Sequence, residues 1–306
     1  MSETATTRKY RFSGHQTFVF RHGWLEKGVR AVAECPTVFS AEDALVRLGV
    51  GKNMVESIKH WCLVTQMIEE YRDGGSQAFR VSSIGRKLLL DWDPFLEDDA
   101  SLWLIHWLLA TNPRMGTTWQ LLFGEFFRPD FSKRELVEYL MAFAAKRSLK
   151  VQESSVARDV DCFVRTYASA NSVSKETLAE DTFDCPLLVL SLIQPCPDGE
   201  IYRFAIGPKP SLPSVVVAYA LNECYDRIRG GGNTLSIQEC LYGPDSPGQV
   251  FKLDENSLIE HIEEIEAATR KDVLLDETAG LKQVYRRRPL DTHQLLDRYY
   301  GAEVRK

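Results

Sequence analysis

The apolar positions of the first ninety residues predict three helices followed by a hairpin. In "WLEKGVRAVAEC" and in "KNMVESIKHWCLVTQMI" apolar residues recur at helical spacing, and "SAEDALVRLG" supplies a helix between them. "RDGGSQAFRVS" then joins a glycine turn signal to a strand of alternating apolar and polar residues. This order is typical of a winged helix-turn-helix, with residues 52–68 as recognition helix and 71–81 as wing.

The remainder of the chain repeats this pattern in weaker form. Residues 91–167 are predicted to be helical, and the helices of 133–167 precede two apolar strands joined at Pro197-Asp198-Gly199. The C-terminal residues alternate short helices with a second strand pair. We therefore predict a mainly α fold with small β-hairpins, built from tandem winged helix-turn-helix modules packed into one compact body. The predicted domains are a DNA-binding domain at 1–90, a helical middle domain at 91–230 and an α/β module at 231–306.

The charge distribution favours a nucleic-acid partner for the N-terminal domain only. The 306 residues carry a net charge of −6. Residues 1–90 contain 13 Lys and Arg against 9 Asp and Glu, whereas residues 91–306 contain 24 against 34. Such an asymmetry is expected when one module approaches phosphates and the rest does not. No apolar run is long enough for a membrane helix and no signal-peptide segment is evident, so we expect a cytoplasmic protein without membrane contact.

The expected DNA contacts lie on the predicted recognition helix and beside the wing. Polar residues opposite the apolar stripe of the helix point to base or phosphate contacts, and two bases near the hairpin point to phosphate contacts. These residues are Lys52, Asn53, Lys59 and His60 on the helix and Arg80 and Lys87 near the wing. Units of three helices and a hairpin also serve as protein-interaction modules, and this alternative stays open.

The stretch "FSGHQTFVFR", residues 12–21, is the candidate for chemistry. As a strand it would place its phenylalanines on one face and His15 and Arg21 on the other. A histidine and an arginine so placed suit a general acid or base and a stabiliser of charge on a phosphate oxygen. The alternative is that His15 bridges a packed segment and has no catalytic role.

Known catalytic and metal-binding motifs are missing from the sequence. We find no nucleotide-binding loop, no hydrolase elbow and no zinc or restriction-nuclease motif. The acidic cluster "DWDPFLEDD" is better explained by a helix start than by a cation site. The seven cysteines are widely spaced and are expected to be reduced core residues. No metal ligand is therefore assigned.

The N-terminal part of the chain contains two distinctive motifs. The first is "FSGHQTF" followed by Arg21 and "WLEKG", and the second is "LGVGKNMVESIKHW". Both resemble the bacterial family of SspB-type proteins, which is known as a domain of unknown function. "IGPKPSLPSVVVAYAL" and "SPGQVFKLDENSL" extend the resemblance over nearly the whole chain. The matching motif positions are Ser13, Gly14, His15, Gln16, Phe18, Arg21, Trp24 and Lys27 in the first and Gly49, Gly51, Lys52, Asn53, Ser57, Lys59 and Trp61 in the second. Lys27 and Ser57 join the expected DNA contacts on this basis.

The resemblance implies a function in bacterial anti-phage defence. Family members are DNA nickases of single-stranded phosphorothioate modification, in which sulfur replaces a non-bridging phosphate oxygen. Their partners are a cysteine desulfurase, an ATPase and an adenylating sulfurtransferase, and the expected metal for nicking is Mg²⁺ or Mn²⁺. The hypothesis is a protein that binds duplex DNA and nicks one strand. The rival hypothesis is a non-enzymatic DNA-binding adaptor or transcriptional regulator, which the missing nuclease motif favours.

Overall fold

The computed structural model describes residues 10–168, 185–197, 199–227, 232–278 and 280–303. Residues 24–81 contain the predicted order of helices and hairpin. The helices are α1 (Trp24–Glu34), α2 (Ala44–Leu48) and α3 (Lys52–Val64), with a 3₁₀ turn at Val38–Ser40 between the first two. Strands β1 (Ile68–Asp73) and β2 (Ser76–Val81) pair antiparallel. Gly74 and Gly75 form their turn with φ values of 55° and 89°, a conformation that favours glycine.

The middle of the chain is a helical layer around one fully buried helix. After α4 (Ser83–Arg86) and a π-helical turn at Lys87–Trp92 come α5 (Asp99–Ala110), α6 (Thr117–Gly124), strand β3 (Asp130–Ser132), α7 (Lys133–Lys146) and α8 (Glu153–Tyr167). Every residue from position 100 to 110 is buried, so α5 lies at the centre of the molecule. A helix that is apolar all round is expected in such a position.

Two further small sheets follow. A 3₁₀ turn at Pro186–Leu190 leads into β4 (Ile193–Pro195) and β5 (Ile201–Phe204), which pair antiparallel in the order β3-β5-β4. Next come α9 (Ser214–Arg227), β6 (Thr234–Ser236), α10 (Ile237–Tyr242), α11 (Pro247–Phe251), α12 (Glu255–Ala268), β7 (Val273–Thr278), β8 (Leu281–Arg286) and α13 (Thr292–Glu303). Their sheet has the order β6-β8-β7.

The prediction of a mainly helical fold with small antiparallel sheets is confirmed, and the tandem winged-helix arrangement stays a prediction. Of the turn predicted at 197–199, position 198 lies outside the described residues, as does the predicted domain boundary at 230 and 231. One apolar core runs from Val19 to Tyr300. The predicted domains therefore share their interior.

The C-terminal helix contacts the N-terminal third of the chain. The ammonium of Lys87 donates to Oδ1 of Asp297 at 2.9 Å, and the indole of Trp92 donates to the same oxygen at 2.8 Å. The ring of Trp92 stacks on that of Tyr300 with centroids 4.9 Å apart. Helix α13 thus packs against residues 87–92, although about two hundred positions separate the two segments in the sequence.

Candidate functional site

Residues 10–18 form an irregular segment that lies over the helical body, and we call this segment the strap; Val19 and Phe20, which follow it, are buried in the core. The predicted strand is wrong, because no strand is present here. Ser13, Gln16 and Thr17 have φ values of 69°, 49° and 66°, and Gly14 has a φ of 124°. These left-handed conformations break the alternation of faces on which a strand depends.

The side chain of His15 points from the strap into the body and is hydrogen-bonded to helix α8. Its side chain is 1% exposed, and its Nε2 is 2.9 Å from Oδ1 of Asp159. The Asp159 carboxylate also accepts hydrogen bonds from the backbone N–H of Ser13 and from the hydroxyl of Thr118, each at 2.9 Å. A buried carboxylate is stable only when its oxygens are satisfied in this way. Asp159 is therefore the attachment point of the strap.

The hydrogen bonds of His15 fix its tautomer. The backbone N–H of Thr17 donates to Nδ1 at 3.0 Å, so the ring proton lies on Nε2 and is donated to Asp159. Burial lowers the pKa of His15, but Cys162 and the Asp159 carboxylate raise it, and the net direction is upward. A second proton at Nδ1 requires the Thr17 amide to turn away. In the closed arrangement His15 does not line a solvent cleft, so its position matches the bridging alternative.

His60 and Ser57 lie on the inner face of α3 and are not surface contacts. Their exposed fractions are 4% and 0%, and the hydroxyl of Ser57 donates to the carbonyl oxygen of His15 at 3.0 Å. The rings of His15 and His60 are edge to face with centroids 5.9 Å apart. Burial lowers the pKa of His60 well below its ordinary value, and the charges of His15 and Arg11 act in the same direction. The expectation that His60 lies on the exposed side of α3 is wrong, because the buried face of α3 is wider than its apolar spacing indicates. DNA contacts by His60 and Ser57 stay predictions, and in this conformation both side chains are buried.

Arg21 lies apart from the hydrogen bonds of His15. Its guanidinium carbon is 5.4 Å from the ring centroids of both Phe18 and Trp24, which is within the range of cation–π attraction. Phe20 and Trp24 are buried in the core, as expected from their apolar character. The catalytic role assigned to Arg21 stays a prediction, and the described contacts give it an aromatic environment.

Three of the remaining predicted DNA contacts have no ion pair among the described residues, and three are paired with carboxylates. Lys52 and Asn53 are exposed in the first turn of α3, and Lys27 is half-buried on α1. The other three are engaged with carboxylates: Lys59 with Glu56, Arg80 with Glu69, and Lys87 with Asp297. Lys87 is thus an anchor for α13, a role that no sequence signal near it indicates.

Asp159 and Thr118 were not predicted from the sequence. Asp159 lies 144 positions from His15, so no local motif links them. A signal was nevertheless present, because Asp159 lies three positions after Val156 and four before Phe163, on the apolar stripe of α8. An acid on a buried stripe needs a partner, and this requirement marks it as a residue of interest.

No metal site was assigned from the sequence, and the described part of the chain contains no group of three or more His, Cys, Asp or Glu side chains arranged to hold a metal ion. The expected Mg²⁺ or Mn²⁺ therefore has no assigned ligands. Within the same residues no helix is both long and apolar enough to cross a membrane. The cysteines at all seven positions are free thiols.

The fold is that of a mainly helical protein with small antiparallel sheets. Residues 12–300 match the family described as "Protein of unknown function (DUF4007)", and the chain belongs to this family. It is similar to the SspB crystal structure, with 28% identity, a TM-score of 0.85, and coverage of 96% of this chain and 89% of that one. The chain is likewise similar to the magnesium ion-bound SspB crystal structure, with 28% identity, a TM-score of 0.85, and coverage of 95% of this chain and 88% of that one. No curated protein matches the chain. The resemblance to SspB-type proteins is thereby confirmed.

Proposed function

We propose that this protein binds duplex DNA through its N-terminal module and acts in DNA phosphorothioate modification, where it nicks one strand. The observation that carries the DNA-binding part is the exposed first turn of α3. This turn holds Lys52 and Asn53 and no acidic residue. Unpaired backbone N–H groups and the positive end of the helix dipole favour a phosphate at such a position.

Helix α3 is a better candidate for the main contact than the hairpin. Lys52 has no carboxylate partner among the described residues, so its charge is available to a phosphate. The hairpin carries three acids, Glu69, Glu70 and Asp73, against two bases, Arg72 and Arg80. Arg80 is already paired with Glu69. We therefore assign the hairpin a secondary contact through Arg72, which is exposed and unpaired within the described ranges.

The phosphorothioation part of the proposal is supported by the SspB structures, which match the chain over nearly its whole length at 28% identity. The resemblance of the sequence motifs implies the same system, with a cysteine desulfurase, an ATPase and an adenylating sulfurtransferase as partners and Mg²⁺ or Mn²⁺ as the metal. For nicking we retain His15 as general acid or base and Arg21 as the group that stabilises charge on a phosphate oxygen.

A second candidate function is a DNA-binding adaptor without catalytic activity. The burial of His15 at 1% exposure favours it, because a general acid or base must reach its substrate. The two functions share the α3 surface and differ only in strand cleavage.

A supercoiled plasmid separates the two functions. The protein is incubated with plasmid and either Mg²⁺ or Mn²⁺, and nicked circles are quantified beside a binding measurement on a labelled duplex. Nicked circles that disappear in His15→Ala, with binding retained, support the nickase. Binding without nicks under either metal supports the adaptor. An absence of salt-dependent binding contradicts both, since phosphate contacts always bring salt dependence.

A further inference from the structure

The strap makes polar contacts with helices α3, α6 and α8, and its aromatic side chains Tyr10, Phe12 and Phe18 pack against the core. The backbone N–H of Arg11 donates to the hydroxyl of Thr117 at 2.8 Å. At its centre His15 is bonded to Asp159, and near its end the carbonyl of Thr17 accepts from the guanidinium of Arg165 at 2.7 Å. These contacts reach α6 and α8 and lie far apart in sequence. The strap has no helix or strand of its own, so its position depends on these contacts with distant parts of the chain.

The closed strap carries a conformational cost. Residues other than glycine rarely adopt a left-handed backbone because of steric strain, and the strap has three such residues, Ser13, Gln16 and Thr17. Gly14 is needed where it is, because a Cβ at this position would lie 2.6 Å from Nδ1 of His60. The backbone at Gly14 thus lies so close to the imidazole of His60 that a side chain does not fit between them.

The imidazole beneath the strap lacks hydrogen bonds. Both nitrogens of His60 are buried with no partner among the described residues, and so is Nε1 of Trp119. Each buried polar atom without a partner costs free energy, and native proteins contain few of them. Water or another polar ligand would satisfy these atoms if the strap moved aside.

We propose that the strap opens as a unit, and that its opening releases His15 from Asp159 and exposes the ring nitrogens of His60 to a polar ligand. Both ring nitrogens of His60 lack a partner among the described residues while the strap is closed, so a small polar group such as a phosphate oxygen can bind there once the strap has moved. The inference concerns the movement of residues 10–18 and is independent of strand cleavage. A negative plasmid assay leaves it untouched.

Cys162 is a natural reporter of strap opening. Its thiol is fully buried, and Sγ lies 3.4 Å from the carbonyl oxygen of Phe18, to which it donates. Cys240 is also buried, on α10 in the C-terminal part of the chain, and reports global unfolding instead. The labelling rate of each cysteine by a maleimide is followed by peptide mass spectrometry on the full chain.

Two variants are designed to open the strap. Gly14→Ala puts a methyl group against His60, whereas the control Gly23→Ala changes another glycine of positive φ with nothing within 4 Å. Asp159→Asn removes the charge that holds His15. We expect labelling of Cys162 to rise roughly tenfold or more in both opening variants, with Cys240 and the control unchanged.

A second readout follows the imidazole itself. Diethyl pyrocarbonate modifies accessible histidines, and exposed His22 serves as the internal standard. We expect modification of His60 in Gly14→Ala and in Asp159→Asn, and none in the wild type over the same time. Unchanged Cys162 and His60 in both folded variants would overturn the proposal. So would a rise at Cys240 by the same factor as at Cys162, because that shows global unfolding.

Discussion

The Nε2–H of His15 donates to Oδ1 of Asp159 at 2.9 Å, and both side chains are at most 2% exposed. This one bond joins the N-terminal strap to the middle of helix α8. Because the carbonyl oxygen of His15 also accepts from Ser57 on α3, the same residue connects the candidate DNA-binding helix with the body of the protein. A movement of His15 would therefore change contacts with both α3 and α8.

Asp159→Ala is expected to destabilise the protein by about 3–5 kcal/mol. The substitution leaves the N–H of Ser13, the hydroxyl of Thr118 and the imidazole of His15 without their acceptor in a buried site. The measurement is urea unfolding followed by circular dichroism. The matched control is Asp161→Ala on the same helix, whose carboxylate is 44% exposed and pairs with Lys133 and Arg165. Exposed pairs contribute about 1 kcal/mol or less, so equal losses in the two variants contradict the role assigned to Asp159.

The sequence predicted regular elements well where one periodicity dominated. Residues 24–81 follow the helical and strand patterns because their apolar faces pack on a nearby core. The alternation of apolar and polar residues over 12–21 predicts a strand, but the backbone there is irregular because its contacts are with Asp159 and Arg165, more than 140 positions away. Local pattern carries no information about such partners.

The candidate site was only partly accessible to sequence reasoning. His15 was singled out, but its alternative role as a bridge fits the structure better than a surface catalytic position does. His60 was placed on the polar side of α3 because histidine counts as polar, although His60, Trp61 and Ser57 together form the buried face. An aromatic-rich core accepts an imidazole by edge-to-face contacts, and a hydrophobicity pattern does not register this.

Lys52→Ala is expected to weaken binding to duplex DNA about threefold to tenfold at low salt. The residue lies exposed at the N-terminus of α3, where we propose one phosphate contact, so its loss should lower the slope of log binding constant against log salt by about 1 in magnitude. Fluorescence anisotropy over a salt series measures both quantities. Arg134→Ala is the control, because this arginine is 87% exposed and paired with Glu138 on α7. Equal effects of the two substitutions would rule out a specific contact at α3.

Lys252 is expected to make stability depend on pH. Its side chain is 4% exposed, its ammonium donates to the carbonyl oxygen of Phe123 at 3.0 Å, and burial lowers the pKa of Lys252 to about 7. Between this value and the unfolded pKa of about 10.4, the unfolded chain holds a proton that the folded chain has released. Stability therefore rises with pH over this window, by at most about 1.4 kcal/mol per pH unit.

The variant Lys252→Met isolates that contribution. It keeps the apolar stem between Phe123 and Phe204 and removes the titrating group. Urea unfolding of both proteins at pH 7, 8.5 and 10 should show the wild type gaining stability relative to the variant as pH rises. Parallel curves, with a constant difference at all three pH values, would mean that Lys252 is charged in the folded state at neutral pH.

Gly85→Ala is expected to destabilise the protein by about 2–4 kcal/mol through overpacking. A Cβ at this position would lie 2.1 Å from the carbonyl oxygen of Met67, a backbone atom that cannot move without disturbing the start of β1. The same carbonyl accepts hydrogen bonds from the backbone N–H and the hydroxyl of Ser82, so the close approach of α4 is fixed from both sides.

Gly51→Ala is the matched control, since Gly51 has a φ of −70° and no heavy atom within 4 Å of a built Cβ. Thermal unfolding should show a lowered Tm for Gly85→Ala and an unchanged or slightly raised Tm for Gly51→Ala, where a less flexible unfolded chain favours folding. A Tm for Gly85→Ala within a degree of the wild type would mean that α4 is free to shift away from β1, and the junction between the hairpin and the helical layer would then be looser than these contacts indicate.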